Sequence, residues 1–472
     1  MSQTTWTHPY MPNSAPENLR QMLDTLGIEE IEDLYRDRIP QDLRFHGSMD
    51  LPKPLESEWE LKQHVLELLQ QNIPCTRYTN FLGAGCYQHA IPALCDEIAN
   101  RAEFLTAYCG DTYSDHGKMQ AIFEYTSMMG ELLETDVVSY PCYDGAQAVC
   151  SALRMALRLG TEENRNQLLV PDTMNPEILS QLREYCFGVG EVLTVPHNRQ
   201  GGMDLSALQK LLSPATAAVF LENPSYLGGL QQDARTIGEL AHQAGALFVV
   251  MPELASLGVV APPSTYGADI TCGEVQPLGI HMQYGGGCAG FLAVDQDPRL
   301  FQQIPTYLYG LCPSKHPGQF GWGRALNERC SHGSREKANE YFGTESGLWA
   351  IVAGVYLASL GPKGMEDLGE HILQKTHYAM QVLKEVPNLQ VNPMGAVPFQ
   401  EFVVCYDPSG KTVAQVNKAL LEYRIFGGKD LSKDFPELGQ SALYCFNETT
   451  PASEIRRLAG ALREILGGGS HA

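Results

Sequence analysis

Lysine is nearly missing from the middle of this sequence. Between Lys118 and Lys315 the one lysine is Lys210. Positive charge is scarce throughout: Lys and Arg total 33 against 55 Asp and Glu, so the 472-residue chain carries a formal net charge of −22. Nucleic acid and anionic membrane surfaces are bound by clustered Lys and Arg, so neither is expected as the main partner. Also missing are C-x-x-C, zinc-finger Cys/His spacing, H-E-x-x-H, G-x-S-x-G and the P-loop, which leaves no metal, serine-hydrolase or nucleotide signature. The 13 cysteines are scattered and odd in number, and the N-terminal MSQTTWTHPYMPNSAPENLR lacks a basic-then-apolar signal pattern. Reduced thiols in a cytoplasmic protein are therefore expected. The longest uncharged stretch, 346–362, contains three glycines and ends in Gly-Pro. It falls short of the roughly 20 apolar residues a membrane span needs and reads as a buried helix. The closing GGGSHA (467–472) resembles the remnant of an expression tag and is left out of the reading.

What is present is ordinary globular material, 44% hydrophobic and 19% charged, enough for a large core. Residues 1–75 read as an N-terminal helical arm. Asn13 or Ser14 is placed to cap a helix whose Leu19, Met22, Leu23 and Leu26 share one face. A second helix is expected over 29–35. After the stiff Leu51-Pro52-Lys53-Pro54 segment, Ser57 caps a helix carrying Leu61, Val65, Leu66 and Leu69. From residue 76 to 361, short apolar runs alternate with helical segments. Strands are expected at 168–170, 191–195, 217–221, 246–250 and 270–272, and helices at 147–159, 176–185, 204–212 and 234–244. That alternation predicts a mostly parallel sheet covered on both faces. Residues 362–466 read as a smaller α+β domain, with helices at 365–385, 412–422 and 451–466 and short strands between them.

Ligands of such sheets sit at the carboxyl ends of strands, near helix N-termini that attract anions. Tyr143-Asp144-Gly145-Ala146, before a helix, suits a phosphate-cradling turn, and equally an ordinary glycine turn with an aspartate cap. Glu222-Asn223-Pro224 follows a strand at the kind of place where pyridoxal-phosphate enzymes hold ring substituents. Glu253 ends the next strand, where such enzymes place an acid under the pyridine nitrogen. The stretch Gly273-Glu274-Val275-Gln276-Pro277-Leu278-Gly279 then stands where a Schiff-base lysine is needed, and Gln276 cannot supply an amine. Lys210 lies on the solvated face of a predicted helix. Lys315 is expected in a loop with no strand before it. The glycine cluster 284–290 suits either a phosphate turn or a tight turn at a sheet edge. Cys86, Cys109, Cys142, Cys288 and Cys312 lie in Gly- or Pro-rich loops without consistently placed histidines.

Several segments together carry a resemblance. They include Leu51-Pro52-Lys53-Pro54-Leu55, Asn80-Phe81-Leu82-Gly83-Ala84-Gly85-Cys86-Tyr87, Gln120-Ala121-Ile122-Phe123-Glu124-Tyr125 and Tyr143-Asp144-Gly145. Tyr266-Gly267-Ala268-Asp269-Ile270, Gly273-Glu274-x-Gln276-Pro277-Leu278-Gly279, Gln400-Glu401-Phe402-Val403 and Gly427-Gly428-Lys429-Asp430-Leu431 continue the series. In this order, from about residue 8 to 466, they resemble subunit 1 (the α subunit) of glycine decarboxylase, the P-protein of the glycine cleavage system. The resemblance implies a fold-type I pyridoxal-phosphate transferase fold of the aspartate aminotransferase superfamily. It also implies that subunit 1 lacks the cofactor lysine. Pyridoxal phosphate is then expected on a subunit-2-like β chain whose active site this chain completes, in a dimer of heterodimers. The implied reaction decarboxylates glycine and passes its aminomethyl group to a lipoyl carrier, an H-protein-like partner, as the lipoyl disulfide is reduced.

The segments 109–115 and 339–346 depart from the family's pattern in stretches that the resemblance places at the shared active site, and both add acidic residues. They leave open a paralog acting on another amino acid or sulfur acceptor, or a silent scaffold subunit. Tyr108 and Tyr113 are the candidate catalytic residues, offering hydroxyls to a substrate carboxylate. Arg77, Tyr143, Asp144, Asn223 and Gln276 mark the expected degenerate cofactor pocket.

Overall fold

The computed structural model describes residues 7, 10–45, 47–105, 116–343 and 345–467. Tyr108, Tyr113, Cys109 and the whole of 109–115 lie outside the described residues. Chain contacts divide the molecule into two units, 1–73 and 74–472.

In the first unit a helix spans Pro16–Leu26. Proline at its first position needs no hydrogen-bond partner for its nitrogen, and Gly27 ends the helix in the left-handed conformation. The expected caps, Asn13 and Ser14, instead lie in or beside a short 3-10 turn (Pro12–Ser14), where the Ser14 hydroxyl donates to the Met11 carbonyl. The segment expected as a second helix holds a single 3-10 turn, Ile31–Leu34. The next helix, Glu58–Gln70, starts on the predicted Ser57, whose side chain and that of Glu60 cap each other's backbone N–H. Leu61, Val65, Leu66 and Leu69 of its stripe are all exposed.

The second unit is built on a seven-stranded sheet. Its strands are β1 (Val137–Val138), β2 (Gln167–Pro171), β3 (Glu191–Val195), β4 (Thr216–Asn223), β5 (Leu247–Pro252), β6 (Ile270–Glu274) and β7 (Gly290–Val294). The spatial order is β1-β7-β6-β5-β4-β2-β3. β6, β5, β4, β2 and β3 run parallel; β7 is reversed beside β6, and β1, antiparallel to β7, runs with the others at that edge. Alternation within strands sorts the core into two faces. Leu168, Val170 and Phe220 pack with Ala148, Leu153 and Met155 of the helix Gly145–Gly160. Leu169, Val219 and Leu221 pack with Ile237 and Ala241 of the helix Ala234–Gln243 on the other side. β4 is buried along its whole length, as a central parallel strand must be.

β7 was not expected; the glycine cluster before it forms only a short turn, Gln283–Gly285, and then feeds the strand. A second correction concerns Lys315. A strand, Leu308–Pro313, does precede it and pairs with Phe320–Ala325, so Lys315 lies exposed in a hairpin loop. Lys210 is exposed on the helix Leu205–Leu211, as expected.

The helices predicted at 346–362 and 365–385 are one helix, Gly347–Lys384, running through a kink at Gly361-Pro362. By length and composition it is the one helix among the described residues able to cross a membrane. Its Ala350, Ile351, Val352, Ala353 and Tyr356 are instead buried in a cluster with Ile122, Tyr125 and Met129 of the helix His116–Leu133. Past it, a four-stranded antiparallel sheet has the order Gln390–Val391, Glu401–Cys405, Ser441–Cys445, Lys429–Asp430. The helices Val413–Leu420 and Ala452–Gly467 share its core, with Phe402, Tyr444 and Phe446 stacked at the centre.

Candidate functional site

The carboxyl ends of β4, β5 and β6 open on a cavity of about 70 Å³, lined also by the loop at Gly85 and Tyr87 and by Gln400 and Glu401. Each of the three strands delivers a glutamate to it: Glu222 from β4, Glu253 just past β5 and Glu274 at the end of β6. Glu401, the first residue of its strand, is the fourth. Parallel strands expose their last residues at one edge, which is why side chains far apart in sequence converge there.

Glu274 reaches the N-terminus of the 16-residue helix Gly145–Gly160. One carboxylate oxygen accepts the Gly145 N–H at 2.8 Å; the other accepts those of Ala289 (2.8 Å), Gln276 (2.9 Å) and Val275 (3.1 Å). The approach requires glycine at 145, since a Cβ there would lie 2.8 Å from the Glu274 Cβ. Asp144 caps the same helix by accepting the Gln147 N–H at 2.7 Å. Of the two readings of this turn, the glycine turn with an aspartate cap is the one observed, and the anion met by the helix N-terminus is a side chain of the chain itself. Burial pushes the Glu274 carboxyl up to about 7, against the pull of the backbone donors.

Gln276 is 1% exposed and fully engaged. Its amide oxygen accepts the Tyr87 N–H at 2.9 Å, and its amide nitrogen donates to the carbonyls of Tyr87 (2.8 Å) and Ile280 (2.9 Å). It ties the 83–87 loop to the end of β6 and does not line the cavity. Asn223 turns away as well: its oxygen accepts the Gln231 N–H and its nitrogen donates to the Tyr266 hydroxyl. Tyr143 stacks on Phe342 at 5.4 Å, and its hydroxyl exchanges hydrogen bonds with the backbone of Gly343. Arg77 is exposed and is not among the residues lining the cavity. Of the proposed pocket residues, then, Asp144 and Gln276 flank the Glu274 anion site, while Arg77, Tyr143 and Asn223 are placed elsewhere.

The residues that sequence reasoning passed over are Glu222, Gln400, Glu401 and the anionic role of Glu274. Burial pushes Glu222 up to about 8, opposed by the N–H of Asn175. Burial likewise moves Glu401 up to about 7, although Ala84 N–H and the Tyr87 hydroxyl donate to it at 2.6 and 2.9 Å. Glu253 is raised by burial and is held back by the nearby His89, which pairs with Glu448 at 3.1 Å. A glutamate at three successive strand ends was the signal available. Among the loop cysteines, Cys142 is fully buried, and burial raises the thiols of Cys86 and Cys288, the latter to about 12, so they stay protonated at neutral pH.

Within the departing segment 339–346, Glu340 and Phe342 are buried, while Asn339 and Tyr341 are exposed. Glu340 is 9% exposed and receives hydrogen bonds from Ser151 (2.6 Å), Tyr185 (2.8 Å) and Arg158 (2.8 Å). Its negative charge is answered by Arg158, in the last turn of the helix Gly145–Gly160.

Comparison with known proteins agrees with this architecture. A profile described as "Glycine cleavage system P-protein" matches residues 8–433. The "Probable glycine dehydrogenase (decarboxylating) subunit 1" of Thermococcus onnurineus (strain NA1) is 37% identical, over 97% of this chain and 99% of that protein. The protein of the same name from Carboxydothermus hydrogenoformans (strain ATCC BAA-161 / DSM 6008 / Z-2901) is 36% identical over 97% and 99%. A crystal structure of glycine decarboxylase (P-protein) of the glycine cleavage system, in inhibitor-bound form, superposes with a TM-score of 0.84 and 32% identity, covering 98% of this chain and 100% of that one. A NifS-like protein (TM-score 0.62, 11% identity, 83% and 99% covered) shares the fold-type I architecture alone. Fold, length and sequence concur, and the chain belongs to the glycine cleavage system P-protein family.

Proposed function

We propose that this chain is the cofactor-free subunit of a two-chain glycine decarboxylase. A second, subunit-2-like chain carries pyridoxal phosphate, and the present chain completes that chain's active site. Glycine loses its carboxyl group as carbon dioxide. The aminomethyl carbon then bonds to a sulfur of a lipoyl carrier protein as the lipoyl disulfide is reduced. The relatives named subunit 1 support this reading.

The observation that carries it is Glu274. Pyridoxal phosphate needs a lysine for its aldehyde and a free anion site for its phosphate. In this chain the lysine position holds the fully bonded Gln276, and the helix N-terminus is taken by the Glu274 carboxylate. Three further glutamates around the cavity oppose a phosphate dianion. The residues present do not fit the cofactor, so no chemical step is assigned to it here. What this chain contributes lies at the shared boundary. Tyr108 and Tyr113 are proposed, on the resemblance, to offer hydroxyls to the substrate carboxylate, and their Phe variants should raise KM in the assembled enzyme.

The test is reconstitution. Isolated, the chain should be colourless and inactive. Combined with its partner and lipoyl carrier, it should release labelled carbon dioxide from carboxyl-labelled glycine. The reading fails if the isolated chain turns yellow with pyridoxal phosphate and decarboxylates glycine by itself. If the pair is yellow but answers only to amino acids other than glycine, the substrate assignment falls while the division of labour stands.

A further inference from the structure

The cavity at the strand ends has more polar capacity than the fold uses. Gln400 is 2% exposed, lines the cavity, and has neither its amide oxygen nor its amide nitrogen hydrogen-bonded. Glu253 lines the same cavity, with one carboxylate oxygen accepting the Ser256 N–H at 2.9 Å and the other buried without a partner. Buried polar atoms left unpaired are costly, so two side chains with free groups lining one cavity point to an occupant.

Three properties define that occupant. The first is charge. No lysine, arginine or histidine is among the described lining residues, whereas Glu222, Glu253, Glu274 and Glu401 all are. The lining therefore offers an anion no countercharge, whereas a cation meets carboxyls that can ionise beside it. Burial keeps these carboxyls raised, as expected where countercharge is short. The second is size. A cavity of about 150 Å³ holds a benzene molecule, so a volume of 70 Å³ accommodates a molecule of about two or three non-hydrogen atoms. The third is donor pattern. The free groups include two acceptors, the Glu253 carboxylate oxygen and the Gln400 amide oxygen, and Pro277, Leu254 and Met251 supply apolar wall. An ammonium head with several N–H donors and a short alkyl tail answers the charge, the size and the two free acceptors. A zwitterionic amino acid would bring its carboxylate against the glutamates.

We propose that the cavity at the ends of β4, β5 and β6 is a binding site for a small primary ammonium ion, held by Glu253 and Gln400. The site lies where related folds keep a cofactor, and it is separate from the reaction assigned to the partner chain. Its test reads binding and not activity, so it stands or falls independently of the proposed function.

The experiment titrates methylammonium chloride into the isolated full chain, free of pyridoxal phosphate, by calorimetry at constant ionic strength. Potassium chloride and tetramethylammonium chloride serve as controls. Saturable binding of methylammonium, with neither control saturating, is the expected result. Gln400→Leu preserves volume and removes two unsatisfied atoms, so it should fold at least as stably as the parent chain while binding methylammonium at least tenfold more weakly. Glu253→Gln should weaken binding by a similar factor. The proposal is overturned if methylammonium gives only the linear heats of the controls, which would mean that ordered water alone fills the cavity. It is equally overturned if potassium saturates as methylammonium does, or if a folded Gln400→Leu chain binds undiminished.

Discussion

Replacing Glu274 with serine removes the carboxylate that answers four backbone N–H groups, those of Gly145, Val275, Gln276 and Ala289. Hydrogen bonds to a charged group contribute about 1.5–3 kcal/mol each. Three of the four converge on one oxygen, so the lower end applies, about 6 kcal/mol for the set. Against this, holding the carboxyl at about 7 instead of its ordinary 4.5 costs about 3 kcal/mol above neutral pH, and the serine variant recovers that. The expected net loss is about 3 kcal/mol at about pH 8. The vacated helix N-terminus then becomes an open anion site. Inorganic phosphate at a hundred times its dissociation constant would return about 2.7 kcal/mol. The assay is urea unfolding of both chains by fluorescence and circular dichroism, in phosphate or chloride at matched ionic strength. The argument is refuted if the variant loses less than about 1 kcal/mol, or if phosphate stabilises the parent chain as much as the variant.

Other outcomes follow from the same geometry. Gln276→Lys alone should bring no visible absorption with pyridoxal phosphate and should cost about 2–4 kcal/mol, because the Tyr87 N–H loses its acceptor in a buried site; a yellow, stable variant would contradict this. The carboxyls of Glu222, Glu274 and Glu401 are raised from 4.5 to about 8, 7 and 7, so the folded state holds protons that the unfolded chain has released. Their contribution is therefore most favourable below about pH 4.5 and is lost as pH rises through 7 to 8, and Glu222→Gln should flatten the fall in urea midpoint between about pH 5 and 8. Glu340→Ala should cost about 1–3 kcal/mol by removing the acceptor of Ser151, Tyr185 and the partly buried Arg158, and Glu340→Ala combined with Arg158→Met should recover part of it in the same unfolding assay. Gly228→Ala should destabilise by at least about 3 kcal/mol, since Gly228 has φ +90° and a Cβ would sit 2.0 Å from the Glu401 carbonyl oxygen; a variant unfolding at the parent's urea midpoint would refute the close approach.

Much of the body was legible because its signals are local. The strand 191–195 and the helix 176–185 appear at the predicted residues, each marked by its own apolar pattern. The capping box at Ser57 is a four-residue signal and was read directly. The misses share one cause. β7 follows a glycine run that masks its start, and the strand before Lys315 contains Gly310 and ends in Pro313, weak strand formers by themselves. Both strands exist because a neighbour pairs with them. The fate of Glu340 was equally hidden, since Ser151, Arg158 and Tyr185 lie more than 150 residues away from it.

The missing lysine belongs to the sequence alone. An amine absent from 211–314 is absent in every conformation, and Gln276 cannot replace it. That the phosphate position is filled belongs to the tertiary structure. Glu274 lies 129 residues from Gly145, and the N–H groups it accepts come from the helix start, its own strand end and the segment before β7. No local pattern encodes that meeting. It arises because parallel strands end at one edge of the sheet, facing a helix N-terminus whose positive potential draws in the nearest carboxylate.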